Sequence, residues 1–139
     1  MTSGPEHISS RSNPLLVRLR KLAQDPGGYR RAGRVWLEGE HLCEACAARG
    51  PRPLQALLSE RGAADPALRA LAARAPRVAI VDDALFAQLS GLESPGRLGF
   101  VPDAPAAVAI EPGLPTVVLD RLQDAGSVGR ILRSAAALG

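Results

Sequence analysis

The residues best suited to chemistry lie near the end of the 139-residue sequence, in Asp124-Ala-Gly-Ser-Val-Gly-Arg-Ile-Leu-Arg133. A stretch of small residues here runs into a helical pattern. Gly126 and Gly129 allow close backbone approach, Ser127 is a helix-capping type, and Arg130 and Arg133 stand three residues apart, so both serve one helix face. A helix N-terminus offers unpaired N–H groups and partial positive charge, and two guanidinium groups add formal charge beside it. The chemistry such a junction can perform is the holding of an anion or of a group that becomes one. A dinucleotide fingerprint G-x-G-x-x-G would need glycine where Asp124 stands, so a nucleotide-binding oxidoreductase fragment rests on Gly126 and Gly129 alone.

A second constellation is electrostatic. The net charge is only +3, yet Arg11, Arg18, Arg20, Lys21, Arg30, Arg31 and Arg34 face the single acid Asp25 across residues 11–34. A basic segment beside a near-neutral body is the pattern of phosphate-backbone binding, and it is also that of a solvated arginine-rich surface. Arg18, Lys21, Arg30, Arg34 and Arg130 are the candidate phosphate contacts. Cys43 and Cys46 form a C-x-x-C near His41, but structural zinc ordinarily needs four ligands, and at helical spacing the pair reads as small core side chains. No metal site is expected. Trp36, inside an apolar run, reads as core rather than as a platform for bases.

The elements that position these groups follow from periodicity and caps. Residues 1–11 are polar and expected to be disordered. Asn13 and Pro14 stand as N-cap and first residue of a helix carrying Leu15, Leu19 and Leu22, which stops at Asp25-Pro26-Gly27-Gly28. Strands are predicted at 34–37, 54–58, 78–81 and 98–101. Helices are predicted from about Glu40 to Arg49, from Asp65-Pro66, and from Asp82 or Asp83 to Leu89. This alternation favours a sheet with helices on both faces, one α/β domain over residues 12–101. The Pro- and Ala-rich stretch 102–115 reads as a linker, with a possible short strand at 108–110. A strand at 116–119, a turn, and a helix capped by Ser127 complete the pattern. A single strand and helix cannot bury both of their faces, so residues 116–139 are expected to open a larger domain. No apolar run is long enough for a membrane span and no leader pattern is visible, so a cytoplasmic protein is expected.

Residues 116–139 resemble the first signature motif of the SpoU/TrmH family of RNA 2′-O-ribose methyltransferases. Upstream, Asn13-Pro14 with its basic helix, Tyr29-Arg30, Arg34 and Glu38-Gly39 entering a helix are similar to the substrate-binding domain that precedes catalysis in that family. The resemblance implies an N-terminal α/β/α domain like RNA-binding ribosomal proteins, followed by the first β-α unit of a knotted SPOUT methyltransferase domain. It implies S-adenosylmethionine as cofactor, rRNA or tRNA as partner, and a homodimer for the full-length protein. The motif's asparagine and catalytic arginine fall on Ser127 and Arg133; the arginine matches, the asparagine does not, and Ala125 replaces the usual proline. A guanidinium, with a pKa above about 12, is a poor base, so Arg133 reads first as a positioner of phosphate and hydroxyl. The later family motifs fall outside these residues, so the chain alone is expected to be inactive and to lack a cofactor pocket. A non-catalytic RNA-binding module is the alternative.

Overall fold

The computed structural model describes residues 4–139, which divide into two units meeting at Ala106 and Ala107. Five strands and six helices make up the first: β1 (Glu6–Ile8), α1 (Pro14–Gln24), α2 (Gly28–Ala32), β2 (Leu37–Glu38), α3 (Glu40–Arg49), β3 (Pro53–Ser59), α4 (Glu60–Ala64), α5 (Pro66–Ala72), β4 (Val78–Val81), α6 (Asp83–Leu89) and β5 (Leu98–Pro102). The second holds one helix, α7 (Ala125–Leu138).

The strands form one mixed sheet in the order β1-β4-β3-β5-β2. β1, β4 and β3 run parallel, and β5 runs antiparallel to both β3 and β2. Residues alternate between the two faces, as the pleat requires. Leu57, Ala79, Val81 and Val101 meet Leu16 and Leu19 of α1 and Leu85, Phe86 and Leu89 of α6. On the other side Ala56, Leu58, Leu98 and Phe100 meet Cys43 and Cys46 of α3 and Leu68 and Ala72 of α5. The α/β class and the sheet covered on both faces are therefore found.

Local sequence explains most of these elements. The Asn13 side chain accepts from the Leu15 amide at 2.9 Å, and Asp65 does the same for Ala67 at 2.9 Å; each precedes a proline at the start of its helix. Four expectations are corrected. Residues 1–3 of the expected disordered tail lie outside the described residues, but Glu6–Ile8 pair with Ala79–Val81 and bury Ile8 to 2% exposure. An edge strand this short is held by its partner and by one apolar anchor. The strand expected at 34–37 begins instead at Leu37, while Arg34 forms an isolated bridge with Asp103. The first unit runs on through the start of the expected linker, because the Ala104 amide donates to the Gly33 carbonyl at 2.9 Å. Finally, neither 108–110 nor 116–119 is a strand. Their apolar side chains are exposed, and among the described residues they have no neighbouring strand to complete a hydrogen-bond ladder.

One glycine is required by packing. A Cβ on Gly99 of β5 would lie 2.0 Å from Cη2 of Trp36, whose ring lies over that part of the strand. Trp36 is the only tryptophan, and its ring centroid is 6.1 Å from that of Phe86. Gly99→Ala must displace a rigid indole, and a loss of about 1–3 kcal/mol is expected. Denaturant unfolding would give the loss, and a red-shifted native Trp36 emission would show the displaced ring. Unchanged emission and midpoint would contradict this packing.

Candidate functional site

In the second unit the helix start differs from the expectation. Asp124, not Ser127, is the N-cap of α7: its carboxylate accepts from the Gly126 and Ser127 amides at 3.1 and 3.0 Å and from the Ser127 hydroxyl at 2.7 Å. A carboxylate can accept all three bonds at once, which one serine hydroxyl cannot. The anion at this helix start is therefore the chain's own side chain, and the Ser127 hydroxyl is engaged with it. These three hydrogen bonds, that of the Ser127 hydroxyl foremost, hold the Asp124 carboxyl below its ordinary value of 3.8. The sign follows: a carboxyl with a lowered folded pKa stabilises the fold fully above its unfolded value and loses that contribution as pH falls through the lowered one. Asp124→Ala is thus expected to reduce helical circular dichroism at neutral pH, and the two proteins should converge in strong acid. A gap that persists there would refute the cap assignment.

Arg130 is exposed; its Nε donates to the Gly126 carbonyl at 3.3 Å and its Nη2 stands 3.6 Å from Asp124. Arg133 folds back along the same face, so that a Cβ on Gly129 would lie 3.1 Å from its Nη1. Glycine at 129 leaves the room in which the guanidinium lies. Asp124 and Ser127 are thus hydrogen-bonded to each other, Arg130 is ion-paired with Asp124 and bonded to the Gly126 carbonyl, and Arg133 lies beside Gly129 outside that group. Arg121, in the preceding loop, adopts a left-handed backbone with φ of 52°, rarely adopted by a residue with a side chain. Nothing in residue spacing announced it.

The candidates in the first unit are placed differently from one another. Arg18 and Lys21 lie on the exposed side of α1 and make no ion pair among the described residues. Arg30 stacks over the Tyr29 ring, 5.4 Å from its centroid, and its Nε donates to the Tyr29 hydroxyl at 2.8 Å. Arg31 is ion-paired with Asp25, the acid of its own segment, and Arg34 with Asp103 from outside it, so one further charge of the apparent excess is neutralised. The Nε of Arg20 is buried without a partner among the described residues. Arg34 therefore fastens the segment before β2 to the end of β5, a structural role hidden from sequence because its partner stands 69 positions further on.

Cys43 and Cys46 are free thiols buried in the core, and their Sγ atoms donate to the carbonyls of Leu37 and Pro51. Burial, with the neighbouring Cys46 adding to it, pushes the Cys43 thiol up to about 12. His41 is fully exposed and stands 3.7 Å from Glu44, whereas both cysteines are buried. The cysteines are core side chains.

Comparison with known proteins agrees with the resemblance to RNA methyltransferases. No family model matches the chain. Over its whole length it is 32% identical to an uncharacterized tRNA/rRNA methyltransferase of Synechocystis sp., of which it covers 52%. The crystal structure of an RNA 2′-O ribose methyltransferase matches 96% of the chain at 26% identity with a TM-score of 0.74, and 52% of that protein is covered. The SpoU methyltransferase AviRb of Streptomyces viridochromogenes, solved in complex with AdoMet, matches 91% at 24% identity with a TM-score of 0.70, over 50% of its length. The class is thus the α/β fold shared with RNA methyltransferases. Within it the resemblance is to the SpoU/TrmH ribose methyltransferases, and the chain spans about half the length of the relatives it matches.

S-adenosylmethionine is the cofactor bound in the AviRb structure. No residue of α7 is buried, so residues 107–139 do not by themselves form an enclosure that fits it. What they can do is present Arg130 and Arg133 to an anionic or hydroxylic group. Among the described residues no helix is long and apolar enough to cross a membrane.

Proposed function

We propose that the protein carrying this chain transfers a methyl group from S-adenosylmethionine to a ribose 2′-hydroxyl of rRNA or tRNA, as a cytoplasmic homodimer. The first unit, from β1 to Ala106, supplies the RNA-binding part, and residues 116–139 open a knotted methyltransferase domain. The observation that carries this reading is Arg133 on the glycine face of α7, in a chain that matches RNA methyltransferases along its whole length. A ribose hydroxyl is a weak nucleophile, so holding it in line with the donor supplies much of the acceleration. Arg133 is the positioning group for the hydroxyl and its phosphate. Ser127, bonded to Asp124, fixes the start of α7 beside it. Arg18, Lys21, Arg30 and Arg130 are the phosphate contacts, and Arg34 contributes what its pairing with Asp103 leaves free. The chain alone binds RNA without turnover.

The test is a methyl-transfer assay with the full-length protein, bulk RNA and methyl-labelled cofactor. A methylated 2′-hydroxyl cannot attack the neighbouring phosphate, so label should survive alkali in dinucleotides. Label on a base, or none, overturns the reading. One observation favours a non-catalytic RNA-binding module instead: the position of the family's asparagine holds Ser127, whose hydroxyl is engaged with Asp124. That module would bind RNA at full length and transfer nothing.

A further inference from the structure

Three adjoining cavities of the first unit share a single residue, Arg18 of α1. One, toward α2, is bordered by Lys21 and by the ion pair of Arg31 with Asp25. The next, of about 620 Å³, lies between α1 and the starts of β3 and β4, and its lining holds Arg18, Arg34 and Arg77 with no acid. The third continues past Arg18 and Arg77 to Glu6, and it shares Leu15, Gln55 and Pro76 with the second. Together they make a cleft around one side of α1. Its central part is basic on two walls, with Arg18 on the helix and Arg77 at the entrance of β4.

Both arginines are exposed and make no ion pair among the described residues, in contrast to Arg31 and Arg34. Gln55 lines the same two cavities, for a local reason. The β3–β5 register shifts between Pro53 and Gln55, an irregularity of the kind that re-aims a side chain. Gln55 shares its face with Leu57, the α1 side of the sheet, and its amide makes no side-chain hydrogen bond among the described residues. A polar, half-exposed amide at a strand start otherwise filled with apolar residues is unneeded by the core.

We propose that this cleft is the path of a single-stranded RNA segment, with Arg18 and Arg77 holding phosphates from opposite walls and Gln55 bonding the ribose 2′-hydroxyl between them. The proposal rests on the RNA-binding role given above to this unit. Guanidinium groups suit phosphate through paired N–H donors, an amide can both donate to and accept from a hydroxyl, and that hydroxyl distinguishes RNA from DNA. The apolar floor of Leu15, Leu19 and Val101 tolerates any sugar or base edge, so the contact is insensitive to sequence.

Fluorescence anisotropy of the 139-residue chain with a labelled single-stranded RNA tests this, using the matched DNA strand and polyglutamate as competitors. Arg18→Ala and Arg77→Ala should each weaken RNA binding about fivefold to tenfold and lower the slope of log affinity against log salt by about 0.7. Arg49→Ala, on α3 at the other face of the sheet, should change neither. Gln55→Leu should keep the slope and lose the preference for RNA over DNA. Wild-type affinity and slope in both arginine variants, with RNA still bound, would overturn the path and leave the RNA-binding role intact. No RNA binding by the wild-type chain would overturn that role, and the path with it. Displacement by polyglutamate as effective as by unlabelled RNA would place an acidic polypeptide in the cleft instead. Equal wild-type affinity for DNA would remove the Gln55 assignment. Unchanged thermal unfolding of each variant shows that the effects come from binding.

Discussion

Replacing Phe100 by alanine is expected to cost the first unit about 3–5 kcal/mol, out of the 5–15 kcal/mol that typically holds a domain folded. Phe100 has no exposed surface and sits in β5 between Ala56 of β3 and Leu37 of β2. Its ring reaches the layer formed by Cys43, Cys46, Leu68 and Ala72. These neighbours are small or held by helices fixed at both ends, so they cannot close over the space a phenyl ring leaves. The variant loses the transfer energy of the ring and retains a cavity besides. Urea unfolding followed by Trp36 emission measures this directly, because Trp36 packs on the opposite face of the sheet and reports the unit without touching the substituted site. Phe100→Leu should recover more than half of the loss. A cost below about 1 kcal/mol for the alanine variant would mean that this layer collapses freely and that Phe100 is not its centre.

How far the sequence could be read depended on whether an element is stabilised locally or from a distance. The helix after Asn13-Pro14 and that after Asp65-Pro66 carry their caps beside them, and the apolar runs of β3, β4 and β5 are central strands whose pattern reflects burial on two faces. Glu6–Ile8 has no such signal, because its order comes from Val81 and its neighbours more than seventy residues away. The apolar run at 116–119 gives the same signal as β4 but has no adjoining strand among the described residues, so pattern alone overstates it. At the candidate site Asp124 and Ser127 are both capping types. Spacing could not rank them, whereas the number of bonds each oxygen group accepts does. Arg77 illustrates the remaining gap, since one arginine between Pro76 and Val78 looks unremarkable until the chain brings it opposite Arg18. Conversely the pairing of Arg34 could not be read from its neighbours in sequence, because its partner, Asp103, lies at the far end of the domain.

In the full-length protein Arg133→Ala is expected to lower turnover by about 100-fold or more while RNA affinity changes by less than about threefold. The asymmetry follows from placement. Arg133 is outside the Asp124–Ser127–Arg130 group and lies against Gly129, so its removal leaves the cap of α7 and the cleft of the first unit intact. A group that merely attracts RNA would alter affinity and salt dependence together. One that aligns a single hydroxyl alters kcat, because a misplacement near 1 Å is enough to lose a near-attack geometry. Arg133→Lys should recover little, since a point charge does not replace a planar fork. Gly129→Ala should produce a milder loss of the same kind, because the added Cβ would crowd Nη1 at 3.1 Å without removing the charge. The check is single-turnover methyl transfer at saturating RNA, with affinity measured separately by anisotropy. Wild-type turnover in Arg133→Ala would remove this residue from the reaction, and an equal loss in affinity and turnover would make it one more phosphate contact.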